Sequence, residues 1–132
     1  MKRYLSAMVL CALLGGPGHP VLAAEPVAVI SQEDLLARLA KKDPDLVVLD
    51  VRTPAEYAAG HVPGARNVSH DQLAAKLGEL SSLKDKQVVL YCRSGRRTAL
   101  AGETLREAGF TRLLHLQGDF LAWEAESRPV ER

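Results

Sequence analysis

Stretches of apolar residues alternate with helix-like patterns from residue 27 onward. The short continuous apolar runs "LVVLD" and "QVVLY" are typical of interior strands in a parallel sheet, because both faces of such strands are covered. The runs "VAVI", "ARNV" and "LLHL" indicate further strands. Strands that alternate with helical segments predict an α/β fold with a mainly parallel central sheet and helices on both faces.

Helix start and stop signals lie between these runs. Ser31 is a good N-cap, because its side chain can accept a hydrogen bond from an unpaired backbone N–H group. Residues 53–56, "TPAE", have the form of a capping box with proline at the first helical position. We expect Ser69 to open a further helix that runs toward Leu80. Gly109 suits the end of the helix that follows "QVVLY".

The first 24 residues have the order of features found in secretory signal peptides. The basic start "MKR" precedes an apolar run from Leu5 to Leu14, and small residues follow at "VLAA". The apolar run is far shorter than the roughly 20 residues that span a bilayer, so we expect no stable membrane anchor. We predict a signal peptide over residues 1–24, cleaved after Ala23 or Ala24, and hence a periplasmic or secreted protein.

Residues 25–132 are predicted to form one domain, since about 100 residues suffice for a single hydrophobic core. The predicted signal peptide contains Lys2 and Arg3 and no acidic residue, so its removal leaves 15 Lys and Arg against 16 Asp and Glu. This near-neutral balance gives no reason to expect nucleic acid or an acidic membrane surface as a partner.

One cysteine remains outside the predicted signal peptide, because Cys11 lies within it and Cys92 does not. A single cysteine forms no internal disulfide and no C-x-x-C redox pair, so its thiol is either inert in the core or free for chemistry. The histidines beyond residue 24 share no metal-ligand spacing with it; they are His61, His70 and His115. We therefore expect neither a metal site nor a cofactor.

The residues that follow Cys92 are suited to holding negative charge. Cys92 ends the strand "QVVLY" and precedes a predicted helix, whose N-terminal N–H groups attract anions. Gly95 lets the loop curl, so that successive N–H groups can point at one place. Arg93, Arg96 and Arg97 add positive charge, and one guanidinium about 4 Å from a thiolate is worth up to about 4 kcal/mol. The loop is predicted to keep the thiol ionised, whereas an inert core cysteine needs none of these features.

The segment "CRSGRRTALAGETLREAGF" resembles the active-site loop and following helix of the rhodanese-like sulfurtransferases. The segments "VVLDVRTPAEYAAGHVPGARNV" and "LLHLQGDFLAW" are similar to two other parts of that family, in the family's order and spacing. The likeness runs from about Val27 to Trp123. It implies a single rhodanese-like domain, here combined with an export signal as in the periplasmic thiosulfate sulfurtransferases.

By that resemblance Cys92 is the nucleophile of the enzyme. Its thiolate attacks the outer sulfur of a small anionic donor such as thiosulfate, carries that sulfur as a persulfide, and passes it to cyanide or a thiol. Asp50 and Arg52, at the end of a neighbouring strand, are expected to support the cysteine loop from below. The residues expected to bind the donor are Arg93, Ser94, Gly95, Arg96 and Arg97.

Two alternative functions stay open. Phosphatases and arsenate reductases of related fold have a cysteine, five residues and then an arginine; this chain has Thr98 at that position and Arg97 one residue earlier. The shorter loop suits a sulfur atom better than a tetrahedral phosphate or arsenate. The other alternative is a carrier that moves persulfide sulfur between a protein donor and a protein acceptor, with thiosulfate activity incidental.

Several other residues in the similar segments carry separate expectations. Asp119 stands where the family commonly has a second glycine, and its charge is expected to weaken donor binding or alter the choice of acceptor. Aspartate tolerates turn conformations well, so the fold should survive. We expect Glu56 to be a helix cap and His61 a structural histidine. Tyr57 and Trp123 are expected to belong to the core or to a pocket wall.

Overall fold

The computed structural model describes residues 27–132, so the predicted signal peptide at residues 1–24 lies outside the described residues. The strands are β1 (Ala28–Ile30), β2 (Leu46–Asp50), β3 (Arg66–Asn67), β4 (Gln87–Tyr91) and β5 (Leu113–Leu116). The α-helices are α1 (Gln32–Ala40), α2 (Pro54–Ala59), α3 (Leu77–Leu80), α4 (Arg96–Glu107) and α5 (Asp119–Ala125). None of the described helices is long and apolar enough to cross a membrane.

The five strands form one sheet in the order β1-β5-β4-β2-β3, and all neighbouring pairs are parallel. The middle strand is β4, with β5 on one side and β2 on the other. Asp50 at the end of β2 lies beside Tyr91 at the end of β4. The residues that follow these two strands therefore meet at the carboxyl edge of the sheet, where parallel α/β sheets bind their ligands.

Strand β4 is buried on both faces. Val88, Leu90 and Cys92 belong to one core, which includes residues of α3 and α4. Val89 and Tyr91 belong to the other core, which includes residues of α1 and α5. This alternation follows the period of two of a β-strand, and each fully buried Val or Leu side chain stabilises the fold by roughly 1.5–3 kcal/mol. The predicted α/β fold, with a parallel sheet between two layers of helices, is confirmed.

The predicted helix signals at Ser31, Thr53 and Gly109 are confirmed. The Ser31 hydroxyl accepts a hydrogen bond from the Asp34 N–H group at 3.1 Å. Thr53 and Glu56 form the reciprocal capping box, since each side chain accepts a hydrogen bond from the other residue's backbone N–H group. Gly109 follows α4 with a φ of +96°, a conformation that glycine adopts without strain.

The single helix predicted from Ser69 toward Leu80 is wrong. The chain makes turns and then a 3₁₀ helix at Ala74–Lys76, the short helix α3, and a second 3₁₀ helix at Ser81–Leu83. The Ser69 hydroxyl donates to the carboxylate of Asp71 and caps no helix. A serine that bonds locally in this way favours a turn over a helix start.

Candidate active site

Cys92 is the first residue after β4, and its sulfur lies at the start of α4. The residue is 1% exposed and belongs to the core on the α4 side of the sheet. Its Sγ accepts a hydrogen bond from the backbone N–H group of Gly95, with an N–S distance of 2.9 Å. Gly95 has a φ of +114°, a left-handed conformation that residues with a side chain rarely adopt. The loop thus turns one backbone donor toward the sulfur immediately before the helix begins.

The first turn of α5 holds the start of the cysteine loop. The Phe120 N–H group donates to the Cys92 carbonyl at 3.0 Å, and the Leu121 N–H group donates to the Arg93 carbonyl at 3.1 Å. Unpaired N–H groups at a helix N-terminus are well suited to this task. The position of the loop is therefore fixed by a helix that follows it by more than twenty residues.

The three arginines of the loop occupy different environments. Arg97 makes two hydrogen bonds to the carboxylate of Glu56, at 2.7 and 3.0 Å. The side chains of Arg93 and Arg96 are exposed, as is Ser94. The structure thus places Arg97 as a brace between the loop and α2, while contact of Arg93 and Arg96 with a donor stays a prediction.

The Arg97 pair also changes the acidity of its partner. The hydrogen bonds from Arg97 lower the pKa of Glu56 from its ordinary value of 4.5 to about 2. The same hydrogen bonds raise the pKa of Arg97, and the negative charge of Glu56 acts in the same direction. Glu56 therefore has a second role besides the helix cap that the sequence predicts.

Asp50 and Arg52 form a buried ion pair beside the end of β4. Arg52 Nη2 lies 2.6 Å from Asp50 Oδ2 and also donates to the Gly60 carbonyl at 2.7 Å. The Tyr91 hydroxyl donates to the same Asp50 oxygen at 2.8 Å. Burial, followed by the negative charge of Asp50, raises the pKa of the Tyr91 phenol. This network holds the residue that precedes Cys92, and Tyr91 is a member that sequence reasoning missed.

Asp119 lies beneath the cysteine loop, where its carboxylate is buried. The residue is 2% exposed and has a φ of +53°, in the left-handed region that aspartate tolerates. Its Oδ1 accepts hydrogen bonds from the Cys92 N–H group at 3.0 Å and from the Thr98 hydroxyl at 3.1 Å. Its Oδ2 lies 2.9 Å from Nε2 of His115. Sequence reasoning noticed the unusual aspartate, but not these partners.

His61 and its neighbours are part of the scaffold. His61 Nδ1 lies 2.8 Å from the Tyr57 carbonyl oxygen, and the His61 ring stacks on the Tyr57 ring with centroids 3.7 Å apart. The Tyr57 hydroxyl donates to the Ala65 carbonyl. Trp123 is fully buried and donates to the Pro129 carbonyl. The structure places these side chains in packing and hydrogen-bonding roles, as the sequence predicts.

Comparison with known proteins identifies the family that this chain resembles in sequence. The family model described as "Rhodanese-like domain" matches residues 31–126. A protein of Allochromatium vinosum named sulfurtransferase is 38% identical over 101 residues, which cover 76% of this chain and 92% of that protein. The thiosulfate sulfurtransferase GlpE of Pseudoalteromonas translucida is 36% identical, over 67% of this chain and 83% of its own length.

Solved structures show the same similarity of fold. A rhodanese-related protein from Thermoplasma volcanium superposes with a TM-score of 0.67 and 29% identity, over 79% of this chain and 97% of that structure. A Rhodopseudomonas palustris protein of unknown function, described as a possible tyrosine phosphatase, superposes with a TM-score of 0.71 and 28% identity. That superposition covers 80% of this chain and 85% of the other.

Proposed function

The chain belongs to the rhodanese-like domain family, and on that premise we propose that it is a thiosulfate-type sulfurtransferase with Cys92 as its nucleophile. The observation that carries the proposal is the position of the Cys92 sulfur, which follows the middle strand and receives a backbone hydrogen bond at the N-terminus of α4. A thiolate is stabilised in such a place, because helix N-terminal N–H groups and their partial positive charge favour anions.

The proposed reaction has two displacements. The Cys92 thiolate attacks the outer sulfur of thiosulfate, so that a new S–S bond forms, the S–S bond of the donor breaks, and sulfite leaves with the bonding electron pair. Cyanide or a thiolate then attacks the terminal sulfur of the persulfide and regenerates the Cys92 thiolate. No proton has to be removed from an ionised cysteine, which agrees with a loop that contains no histidine.

The loop supplies positive charge for every anion in this sequence. Thiosulfate and sulfite each carry two negative charges, and the persulfide is itself anionic. We propose that the exposed side chains of Arg93 and Arg96 contact the oxygens of the donor, together with Ser94 and the backbone of Gly95. Arg97 contributes to the field while it holds the loop against Glu56.

The loop gives less support to a phosphatase or an arsenate reductase. Those enzymes need a guanidinium six positions after the cysteine, and here that residue is Thr98. Thr98 is buried and its hydroxyl donates to Asp119, so it presents no positive charge to a phosphate. Hydrolysis of a generic aryl phosphate should therefore be absent, and turnover that depends on Cys92 would overturn the assignment.

We also propose that the protein works after export, in the periplasm or outside the cell, because residues 1–24 have the composition of a signal peptide. Fractionation of cells, followed by the intact mass of the mature chain, tests this proposal. A mass that includes residues 1–24, found in the cytoplasm, would contradict it.

Intact-mass measurement after treatment with thiosulfate tests the sulfur chemistry most directly. The protein should gain the mass of one sulfur atom, lose it on addition of cyanide, and gain nothing as the Cys92→Ser variant. Steady-state kinetics then address the donor. A high KM for thiosulfate, together with efficient loading by a partner protein, would favour the carrier function over a thiosulfate enzyme.

A further inference from the structure

The Asp119 carboxylate ties together the two ends of the cysteine loop. One of its oxygens accepts hydrogen bonds from the Cys92 N–H group, where the loop begins, and from the Thr98 hydroxyl, in the first turn of α4. The carboxylate is almost completely buried. A buried negative charge is strongly felt by its neighbours, because little water screens it. The sulfur chemistry proposed above gives this charge no role.

His115 lies against this carboxylate and forms an ion pair with it when the imidazole is protonated. Its Nε2 atom is 2.9 Å from Asp119 Oδ2, and the imidazole side chain is 29% exposed, so it can exchange protons with solvent. The pair carries one negative charge when the imidazole is neutral and none when the imidazole is protonated.

The pair also lies directly against the residue that binds the sulfur. Asp119 Oδ2 and His115 Cε1 lie 3.1 and 3.6 Å from the position that a Cβ atom would occupy on Gly95. The N–H group of this same glycine donates to Cys92 Sγ. The charge of the pair is therefore applied next to the place where an anionic donor has to approach.

The residues that flank the Asp119–His115 pair differ in charge between the sheet and the loop. Across the sheet, the neighbours of His115 are Val29 in β1 and Leu90 in β4, which carry no charge. The titratable or charged side chains of the adjacent loop and helix start are those of Cys92, Arg93, Arg96 and Arg97. Of these arginines, Arg97 is already paired with Glu56, and the other two are exposed.

We propose that Asp119 and His115 are positioning residues that set the affinity of the cysteine loop for anionic sulfur donors, and that protonation of His115 relieves the repulsion between Asp119 and the donor. This inference rests on the function proposed above. It predicts that a dianion such as thiosulfate binds more weakly as the imidazole loses its proton. For a ligand or reagent with one negative charge at the loop, loss of this proton should lower the affinity or the reaction rate about three- to tenfold.

The rate of alkylation of Cys92 by iodoacetate, divided by its rate of alkylation by iodoacetamide, separates the electrostatic effect of the pair from the ionisation of the thiol. Iodoacetate is an anion and iodoacetamide is neutral, but both react with the thiolate, so the thiolate fraction cancels in the ratio of their rates at Cys92. Peptide mass mapping identifies the site of reaction. As the pH is raised and the imidazole loses its proton, the ratio of the iodoacetate rate to the iodoacetamide rate should fall about three- to tenfold in the wild-type protein.

Three variants and one control make the test specific. Asp119→Asn keeps an oxygen acceptor for Cys92 and tolerates positive φ, and it should give a higher ratio than the wild type at every pH, because the carboxylate charge is gone. His115→Gln cannot be protonated and should give a low ratio at every pH. In the double variant neither residue carries a charge, so the ratio should be flat with pH and should lie between those of the two single variants. Glu124→Gln, on the exposed surface of α5, is the matched control for the loss of one charge.

The KM for thiosulfate should rise wherever the alkylation ratio falls, and it should fall wherever the ratio rises. Thermal denaturation confirms that each variant is folded; if Asp119→Asn does not fold, Asp119→Gly and His115→Gln carry the test. A wild-type ratio that is flat with pH, or unchanged in both single variants, overturns the inference and leaves the proposed function intact. Absence of persulfide formation together with the expected ratio changes overturns the function and leaves the electrostatic inference standing.

Discussion

Two charged clusters lie at the carboxyl ends of the neighbouring strands β2 and β4, and they are built in opposite ways. Asp50 and Arg52, with Tyr91, form a buried group in which each carboxylate, guanidinium and hydroxyl has a hydrogen-bond partner. The arginines Arg93 and Arg96 are exposed, and within residues 27–132 their side chains have no hydrogen-bond or ion-pair partner. Only the second cluster has positive charge available for a ligand.

The difference shows how charge is divided between support and chemistry. A buried ion pair has a large desolvation cost, so removal of one partner is strongly destabilising even where the intact pair adds little net stability. An exposed guanidinium stays hydrated and can exchange water for the oxygens of an incoming anion. Arg97 lies between these two extremes, since its half-exposed pair with Glu56 connects the loop to α2.

Loss of the proposed nucleophile should have the largest effect of all on activity. In Cys92→Ser, thiosulfate–cyanide turnover should fall at least about a thousandfold, because a hydroxyl stays protonated where a thiol ionises. The free energy of unfolding should change by no more than about 1 kcal/mol, since the two side chains are similar in size. Thiocyanate formation and urea denaturation measure the two quantities. Turnover close to that of the wild type would rule out Cys92 as the nucleophile.

Breaking the buried cluster should have the largest effect on stability. Asp50→Asn leaves the Arg52 guanidinium without its anionic partner and should lower the free energy of unfolding by about 3–5 kcal/mol. Asp45→Asn is the matched control, because Asp45 pairs with Arg112 at the surface with both side chains 44% exposed. Its cost should be small beside that of Asp50→Asn, because an exposed ion pair is screened by solvent. Equal costs in urea denaturation would show that burial does not distinguish the two pairs.

Removal of an exposed arginine from the loop should affect donor binding rather than folding. Arg96→Ala should raise the KM for thiosulfate about tenfold, since a charge-assisted hydrogen bond to an anion is worth roughly 1.5–3 kcal/mol and part of it is replaced by water. Arg66→Ala removes an equally exposed arginine away from the loop and serves as the control. An unchanged KM in Arg96→Ala would assign the donor oxygens to other groups.

The ion pair between Glu56 and Arg97 should make a small, pH-dependent contribution to the free energy of unfolding. Because the pKa of Glu56 is lowered from 4.5 to about 2, its contribution to stability is present above pH 4.5 and is lost as the pH falls toward 2. Glu56→Gln should therefore cost about 1 kcal/mol at neutral pH, after allowance for solvent screening. The difference from the wild type in denaturation experiments should shrink in acid, and a constant difference would contradict the linkage.

The fold was predictable because its signals are local. Apolar runs marked the strands, and the side chains of Ser31 and Thr53 marked helix starts through partners only three residues away. The failed prediction, a continuous helix from Ser69, came from reading a serine as a cap when its hydroxyl had a closer partner in Asp71.

The candidate site was less predictable because its partners are distant in sequence. Arg97 and Glu56 are 41 residues apart, and so are Tyr91 and Asp50. No periodicity along the chain reports such pairs. The aspartate at position 119 was a usable signal, since a charged residue at a position where the resemblance leads one to expect glycine needs partners, but only the structure identified Cys92, Thr98 and His115.

The backbone hydrogen bonds from α5 to the cysteine loop have a consequence for how the candidate site forms during folding. The carbonyls of Cys92 and Arg93 depend on donors at Phe120 and Leu121, close to the end of the chain. Before α5 packs against the loop during folding, these two carbonyls lack their donors and the loop is not held in place. The arrangement around the Cys92 sulfur is therefore complete only after α5 has packed, although α5 follows the loop by more than twenty residues.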